Sequence, residues 1–273
     1  METLFQSKVT ASTTRRCDSP VLFVAHPGHE LRVWGWMETA RPVVCVLTDG
    51  SGSGAEGRLE STARLLRRSN ATAGRVFGRM SDREVYTALL EHDHGTFLGL
   101  ADELAELLVA READCVVGDA IEGYNPTHDL CRLILNAAVR MAGRGREALI
   151  ANHDYLLVGA PGQCPDHLRA SAWILELDEA VLARKLEAAR SYPELASEVD
   201  AALARFGPDP FRIECLRPAD AMERYGWDPE EVPFFERHGE DRVAAGVYRD
   251  VIRFREHLLP AADALWAHSE RHA

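Results

Sequence analysis

The sequence predicts a Rossmann-like three-layer α/β sandwich with a mostly parallel sheet and a C-terminal helical cap. Three short apolar runs, at residues 21–25, 43–47 and 114–118, are rich in β-branched side chains, as buried parallel strands are. Segments with apolar residues at helical spacing lie between them. Strands that alternate with helices in this way favour a parallel sheet with helices on both faces.

The remaining elements follow along the chain. Ser81 and Glu84 have the spacing of a capping box, which opens a helix. Short strands are expected at 149–150 and 155–158. The expected helices cover residues 31–39, 59–73, 81–92, 96–111, 128–141, 178–191 and 242–267, the last interrupted at Pro260.

The organisation predicted from these elements is one domain. Residues 1–19 are expected to be a flexible tail, and residues 20–273 a single α/β domain. Within it, residues 20–160 would carry the core of the site. Residues 161–273, where prolines interrupt the pattern, would be a C-terminal extension and cap.

Composition narrows the class of protein. The chain has 273 residues, of which 46% are hydrophobic and 27% charged, so collagen-like, coiled-coil and wholly disordered classes are excluded. The net charge of −12 argues against general nucleic-acid or membrane-surface binding. No apolar stretch approaches the ~20 residues of a membrane helix. Six scattered cysteines without a CxxC motif indicate a reducing cytoplasm. A small-molecule substrate is the expected partner, and a homo-oligomer stays open.

Three histidines follow predicted strands and are the strongest chemical signal. His26 and His29 lie in the Ala-His-Pro-Gly-His-Glu segment after the first strand, and His128 lies in the loop after a later one. Because ligands bind beyond the carboxyl ends of parallel strands, these loops should converge. Three imidazoles with one open position have the composition of a catalytic zinc site. Zinc there would lower the pKa of a water molecule to about 7 and polarise a carbonyl.

Other readings of these residues stay open. Two of the 11 histidines can fall three apart by chance. His92 and His94 are better explained by the end of a helix. The glycine-rich loop at 50–57 lacks the GxGxxG context and the GK[ST] of a phosphate loop, so a flexible loop over the site is favoured. For Asp49-Gly50, a tight turn and a catalytic position are equally favoured interpretations.

These segments resemble the LmbE-like (PIG-L) family of zinc-dependent N-deacetylases. Ala25–Glu30 matches the Ala-His-Pro-Asp-Asp-Glu motif that follows the first strand of that family, and Thr48–Gly50 matches its Thr-Asp-Gly-like turn. Arg64 is the best match to an arginine at the start of the next helix. Asn125–His128 stands where the family has His-Pro-Asp-His. The resemblance covers residues 20 to about 160 and implies zinc on His26, His29 and His128.

The departures from that family concern the catalytic acids. Gly28 replaces the Asp that serves the family as general base, and His29 replaces an Asp ligand. Asn125 and Thr127 replace the paired His and Asp of the last motif. A neutral ligand in place of an anionic one would leave zinc a stronger Lewis acid. The base could have moved to Glu30, Asp49 or Glu122. Otherwise the zinc does different chemistry, or the fold has been kept and the activity lost.

The function expected from the sequence is a zinc-dependent amidohydrolase that cleaves an N-acyl bond of a small polar substrate, such as a sugar derivative. Asp49, Glu30 and Glu122 are the candidate catalytic residues. Nearby Asp119 and Asp129 could orient the imidazoles or take a proton.

Substrate binding is assigned to Arg64, Tyr124 and Asn125. One alternative is a catalytically altered or inactive member of the fold that binds a metal or ligand. Another is a nucleotide-sugar transferase, for which the first loop offers neither a phosphate cradle nor a basic pocket.

Overall fold

A computed structural model describes residues 17–52, 56–160, 162–222, 225 and 230–271. Most of the expected N-terminal tail, residues 1–16, lies outside the described residues, as do 53–55 of the glycine-rich loop. The strands are β1 (Pro20–Val24), β2 (Val43–Thr48), β3 (Thr72–Met80), β4 (Cys115–Asp119), β5 (Ala151–Tyr155), β6 (Trp173–Glu176) and β7 (Ile213–Pro218).

Helices flank the sheet, together with short 3₁₀ turns at His29–Val33, Pro193–Leu195 and Asp209–Arg212 and a π-turn at Phe254–Leu258. The α-helices are α1 (Trp34–Ala40), α2 (Leu59–Ser69), α3 (Asp82–Leu90), α4 (His94–Ala110), α5 (Pro126–Ala142), α6 (Asp166–Arg169), α7 (Glu179–Arg190), α8 (Ala196–Phe206), α9 (Phe234–Ala244) and α10 (Leu259–Arg271).

The seven strands form one mostly parallel sheet in the order β3-β2-β1-β4-β5-β7-β6. Strands β1 to β5 pair in parallel. β7 pairs antiparallel with both β5 and β6 and so forms the far edge with β6. The predicted fold class is therefore confirmed, including the helix at the C-terminus.

Two apolar cores lie on the two faces of the sheet. Alternate side chains of β1 enter opposite cores, with Val21 and Phe23 in one and Leu22 and Val24 in the other. Side chains of α3, α4, α5 and α10 fill the first core, and those of α1, α2 and α7 fill the second. This alternation follows from the two-residue period of a strand and produces the three layers.

Two of the sequence predictions are wrong at their boundaries. The helix expected over 59–73 ends at Ser69, because Asn70 takes a left-handed conformation with φ 56°, and residues 72–80 form β3 instead. The closing helix expected over 242–267 is broken into α9 and α10. Gly246, with φ 71°, follows α9, and no α-helix covers residues 245–253.

Most of the elements that were not predicted lie in the second half of the chain, although β3 lies in the first. A single strand, β5, replaces the two short strands expected near residues 149–158. Helix α8 and strands β6 and β7 were not foreseen at all. In the parts of the chain that the structure describes, none of the helices is both long enough and apolar enough to span a bilayer.

Candidate metal centre

The three predicted histidines lie close together at the topological switch point of the sheet. β1 lies between β2 and β4, and the chain runs to β2 and β3 on one side and to β5 on the other. His26 and His29 follow β1, and His128 lies in the first turn of α5, which follows β4. A crevice opens at such a switch point, because the two connections leave on opposite faces of the sheet.

The three imidazole rings form a close triangle. Their centroids are 5.1 Å apart for His26 and His29, 5.0 Å for His26 and His128, and 4.6 Å for His29 and His128. The side chains are largely buried, with His26 at 8% and His128 at 7% exposure. Three imidazoles on one tetrahedral zinc, with Zn–N bonds of about 2.0–2.1 Å, would have centroids about 5 Å apart. The spacing of the rings therefore suits a shared ion.

Oxygen atoms fix the orientation of the His26 ring. Its Nδ1 lies 2.8 Å from the hydroxyl oxygen of Thr48 and 2.8 Å from Oδ1 of Asp82. Thr48 donates its own proton to the carbonyl of Ala25, so both oxygens face Nδ1 with lone pairs. Nδ1 must then carry the proton, which leaves a lone pair on Nε2.

The charges of this pair follow from burial and contact. Burial lowers the pKa of His26, although the contact with Asp82 acts in the opposite direction, so the ring is neutral near pH 7. Burial alone would raise the pKa of Asp82, but the hydrogen bond and charge of His26, together with the Gly52 N–H, outweigh it and lower this pKa to about 2. Asp82 is therefore an ionised acceptor beside a neutral ring.

A second buried carboxylate holds His29. Oδ2 of Asp119 lies 2.8 Å from His29 Nδ1 and accepts a hydrogen bond from the backbone N–H of Ala25, while Oδ1 accepts one from the Tyr155 hydroxyl. Burial would raise the pKa of Asp119, but the His29 charge and these hydrogen bonds lower it. A carboxylate on Nδ1 is the usual support of a metal-binding histidine, because it leaves Nε2 free as the ligand.

His128 is positioned by its helix rather than by a carboxylate. Its backbone N–H bonds to the carbonyl of Asn125, the N-cap residue of α5. Its Nδ1 is buried and has no hydrogen-bond partner among the described residues. Burial, with His29 and His26 beside it, lowers the pKa of His128 well below its usual value. A buried, neutral nitrogen without a partner is what a metal ligand provides.

The imidazoles are nevertheless not arranged as a finished ligand set. Among the described residues, no group of three or more His, Cys, Asp and Glu side chains is placed to hold a metal ion as it stands. The rings are close enough, with planes inclined by 66–87° to one another.

The space beside Gly28 is occupied by the side chain of Leu195. Gly28 has φ 105°, a left-handed conformation that glycine adopts most readily, and a Cβ there would lie 2.3 Å from Cδ1 of Leu195. Leu195 belongs to the 3₁₀ turn between α7 and α8. A carboxylate at position 28 would need both a change of backbone conformation and the displacement of Leu195.

Hydrogen bonds attach that C-terminal turn to the histidine loop. The hydroxyl of Tyr192 lies 2.9 Å from Thr62 Oγ1, and Thr62 donates to Glu30 Oε1 at 2.7 Å. Glu30 in turn accepts the backbone N–H of Gly28 at 2.7 Å. Glu194 accepts a hydrogen bond from Ser61. The loop between His26 and His29 is thus fixed from the second half of the chain.

The three predicted catalytic carboxylates have other partners. Glu30 is fully buried in the network just described, which accounts for both of its oxygens. Glu122 accepts hydrogen bonds from the backbone N–H groups of Leu157 and Val158. Asp49 is half-buried at the end of β2, and its Oδ1 accepts the N–H of Ser51. The carboxylates in contact with the imidazoles are instead Asp82 and Asp119.

The predicted substrate-binding residues lie in three different environments. Arg64 is 45% exposed on α2 and pairs with Glu60 at 3.0 Å. Asn125 caps α5 by accepting the N–H of Thr127. Tyr124 is 45% exposed, and its ring stacks on Phe234 with centroids 5.0 Å apart and planes inclined by 4°.

Arg58, at the start of α2, is a fourth candidate that sequence reasoning missed. It donates its Nε to the carbonyl of Gly50, and a Cβ on Gly50 would touch both Arg58 and Pro27. The sequence did contain a signal for Arg58, because it is the arginine that directly precedes the helix.

Asp82 and Leu195 are further residues of the site that sequence reasoning missed. The capping box placed Asp82 at the start of a helix, and the structure confirms that box. Because β3 was not predicted, however, Asp82 could not be placed at the carboxyl end of a strand. No local pattern connected Leu195 with Gly28.

Comparison with known proteins identifies the fold. No family model matches the chain, and no curated protein matches its sequence. The fold is similar to that of a solved teicoplanin deacetylase. The zinc-inhibited form of the teicoplanin deacetylase Orf2 superposes with a TM-score of 0.50 at 12% identity, covering 73% of this chain and 97% of that one. The A40926 pseudoaglycone deacetylase Dbv21 gives 0.44 at 15% identity, with 75% and 97% covered. At such identities the likeness concerns the fold alone.

Proposed function

We propose that this protein is a metal-dependent hydrolase of the deacetylase kind, with zinc bound by His26, His29 and His128. The observation that carries the proposal is the triangle of imidazoles at the switch point, with ring centroids 4.6–5.1 Å apart. Ionised carboxylates support the Nδ1 atoms of two of these rings. The similarity of the fold to that of a teicoplanin deacetylase solved in a zinc-inhibited form supports the same function.

The donor set suits zinc. Imidazole nitrogens are common zinc ligands, and three of them leave a fourth position for water or substrate. Bound zinc would lower the pKa of a water molecule to about 7 and polarise an acyl carbonyl. Because all three ligands are neutral, Asp82 and Asp119 would offset the charge of the ion from behind the rings.

Asp49 is the best candidate for the general base among the three predicted carboxylates. Glu30 is fully buried and uses both oxygens to hold the histidine loop. Glu122 holds two backbone N–H groups. Asp49 stands at the carboxyl end of β2, beside β1, and is half-buried. A positioned base is worth about 10²–10⁴ in rate, so its identity decides whether this centre is an efficient catalyst.

The proposed substrate is a small polar N-acyl compound, such as a sugar derivative, in the cytoplasm. Tyr124 and Asn125 lie four and three residues before the third histidine, Arg58 is the N-cap residue of α2, and Arg64 lies in the second turn of that helix. These residues are proposed to contact the substrate. We also propose that residues 20–273 act as a single unit, because Tyr192 and Leu195 complete the loop that bears the first two histidines.

A second function is favoured by one observation. Leu195 fills the space beside Gly28 where the deacetylases resembled here have their base. A protein without a replacement base would bind zinc and a ligand without efficient hydrolysis. This alternative accounts for the same histidines.

Metal analysis combined with an amine-release assay tests both functions. The hydrolase is expected to hold about one zinc per chain and to release amines from some N-acetylated compounds. Asp49→Asn is then expected to reduce the rate about 10²–10⁴-fold while zinc is kept. Zinc without amine release from any N-acyl compound would support the binding protein. Protein that takes up no zinc under any preparation would overturn both.

A further inference from the structure

A carboxylate outside the predicted site lies directly behind one of its histidines. Asp82 is buried, with 8% of its surface exposed, and its Oδ1 is 2.8 Å from His26 Nδ1. It reaches the site from β3 and α3, whereas the histidines come from the loops after β1 and β4. A third part of the chain therefore meets the ligand set.

The backbone of Asp82 and one of its carboxylate oxygens are both held in place. Asp82 is the first residue of α3, which begins with a complete capping box between Ser81 and Glu84. Its second oxygen, Oδ2, accepts the backbone N–H of Gly52 at 2.5 Å. With one oxygen held by Gly52, the other cannot turn away from the His26 ring.

We infer that Asp82 is a positioning residue for His26, which holds the proton on Nδ1 and directs Nε2 towards the shared metal position. This inference rests on the proposed metal site. Thr48 contributes the other oxygen near Nδ1, but a hydroxyl can turn to donate, whereas an ionised carboxylate only accepts. Asp82 therefore determines which ring nitrogen carries the proton, and it does so without contact with the substrate.

Asparagine and alanine at position 82 test different parts of this role. Asp82 places Oδ1 2.8 Å from His26 Nδ1 and accepts the Gly52 N–H with Oδ2. Asparagine retains a single acceptor oxygen, so it can serve only one of these partners, and alanine serves neither. Loss of the support behind a metal-binding histidine typically weakens metal binding 10–100-fold. We expect Asp82→Ala to reach that range and Asp82→Asn to fall between it and the parent protein.

The matched control is Glu84→Ala. Glu84 closes the capping box of the same helix through Ser81 but lies on its exposed side. The variant therefore reproduces the damage to the start of α3 without the loss of the carboxylate behind His26. Thermal unfolding of the three variants shows how far each one is destabilised.

The experiment measures zinc affinity by competition with a chelator, and coordination by the visible absorption of the cobalt-substituted proteins. The expected result is weaker zinc binding in the order Asp82→Ala, Asp82→Asn, parent, an altered cobalt spectrum for Asp82→Ala, and parent-like values for Glu84→Ala. Equal affinity in all four proteins would overturn the inference while leaving the metal site in place. An equal loss in Glu84→Ala would also overturn it, because helix stability would then be the cause. Failure of the parent protein to bind zinc would overturn the proposed function itself.

Discussion

Among the described residues, histidine rings form two clusters of three. In the site cluster of His26, His29 and His128, the ring centroids are 4.6–5.1 Å apart. In a second cluster, His92 lies 5.8 Å from His94 and 5.4 Å from His257, almost as close. Ring spacing is therefore only part of the difference between the two clusters.

The difference lies in what holds the ring nitrogens. Carboxylates support the Nδ1 atoms of His26 and His29. In the second cluster, Nδ1 of His257 accepts the backbone N–H of Arg253, so the neutral ring carries its proton on Nε2. His92 and His257 are stacked with planes inclined by 21°, an arrangement that directs both rings poorly at one ion. The two clusters therefore differ in what contacts the ring nitrogens as well as in the spacing of the rings.

The largest expected effect is on zinc content. His26→Ala and His128→Ala each remove one of three ligands, and zinc is expected to be lost on dialysis. His92→Ala and His94→Ala are the matched variants from the second cluster and are expected to keep the parent zinc content. The measurement is elemental analysis of the purified proteins. Loss of zinc from His92→Ala would show that ring proximity alone is sufficient for zinc binding.

The next effect concerns the carboxylate behind His29. Asp119→Asn is expected to weaken zinc binding about 10–100-fold and to lower the melting temperature, because Asp119 also holds Ala25 and Tyr155. Asp102→Asn is the control, since Asp102 contacts the ring of His268, away from both clusters. Chelator competition and thermal unfolding are the measurements. A parent-like zinc affinity in Asp119→Asn would remove the distinction drawn between the two clusters.

His153 is a buried histidine without a carboxylate beside its ring among the described residues, and its expected effect is on the pH dependence of stability. Burial, with Arg132 nearby, lowers the pKa of His153 to about 4. Because the unfolded chain binds a proton at about pH 6.5 and the folded one only near pH 4, stability is full above pH 6.5 and falls as the pH drops through this window. The loss should reach up to about 3 kcal/mol. Denaturant unfolding between pH 7 and 4 checks this expectation.

The pH test needs a variant that does not titrate. His153→Gln should have lower stability at neutral pH and a flatter dependence on pH than the parent protein. An unchanged slope would mean that His153 is not responsible for the acid sensitivity.

A smaller effect is expected at the loop that joins His26 and His29. Gly28→Ala should cost about 1–3 kcal/mol, because the residue has φ 105° and its new Cβ meets Leu195. Leu195→Ala in the same chain should recover the part of the loss that comes from the contact, but not the part that comes from the backbone. Chemical denaturation of the two single variants and the double variant measures the coupling between the sites. If the stability losses of the two single variants simply add in the double variant, the contact between Gly28 and Leu195 would be contradicted.

The smallest effect is expected at the predicted substrate residue Arg64. Its exposed pair with Glu60 is worth at most about 0.5 kcal/mol, so Arg64→Ala should be as stable as the parent protein. Arg58→Ala removes the bond to Gly50 and should disturb the site more. A comparison of KM in the amine-release assay separates the two arginines. A larger change from Arg64 than from Arg58 would support the position chosen from the sequence.

The sequence was sufficient for the parts of the fold that local pattern determines. The continuous apolar runs of β1, β2 and β4 are buried along their whole length, and their order along the chain predicted the parallel sheet. The positions of His26, His29 and His128 after these strands predicted a shared site, because parallel strands end at one edge.

The sequence was not sufficient where tertiary contacts override local pattern. β3 carries exposed and half-buried residues, including Gly74 and Gly78, and so has no apolar run. Asp82 follows this strand and was missed with it. Leu195 and Tyr192 complete the histidine loop across a large separation in sequence, which neither periodicity nor motif spacing can reveal.

The attachment of Tyr192 also sets an order of events during synthesis. Tyr192 and Thr62 are 130 residues apart, and a ribosome adds about 5–20 residues per second. For roughly ten seconds after the sheet strands that carry His26 and His29 have emerged, the turn that holds their loop does not yet exist. The loop that bears His26 and His29 is therefore completed only after the second half of the chain has been synthesised.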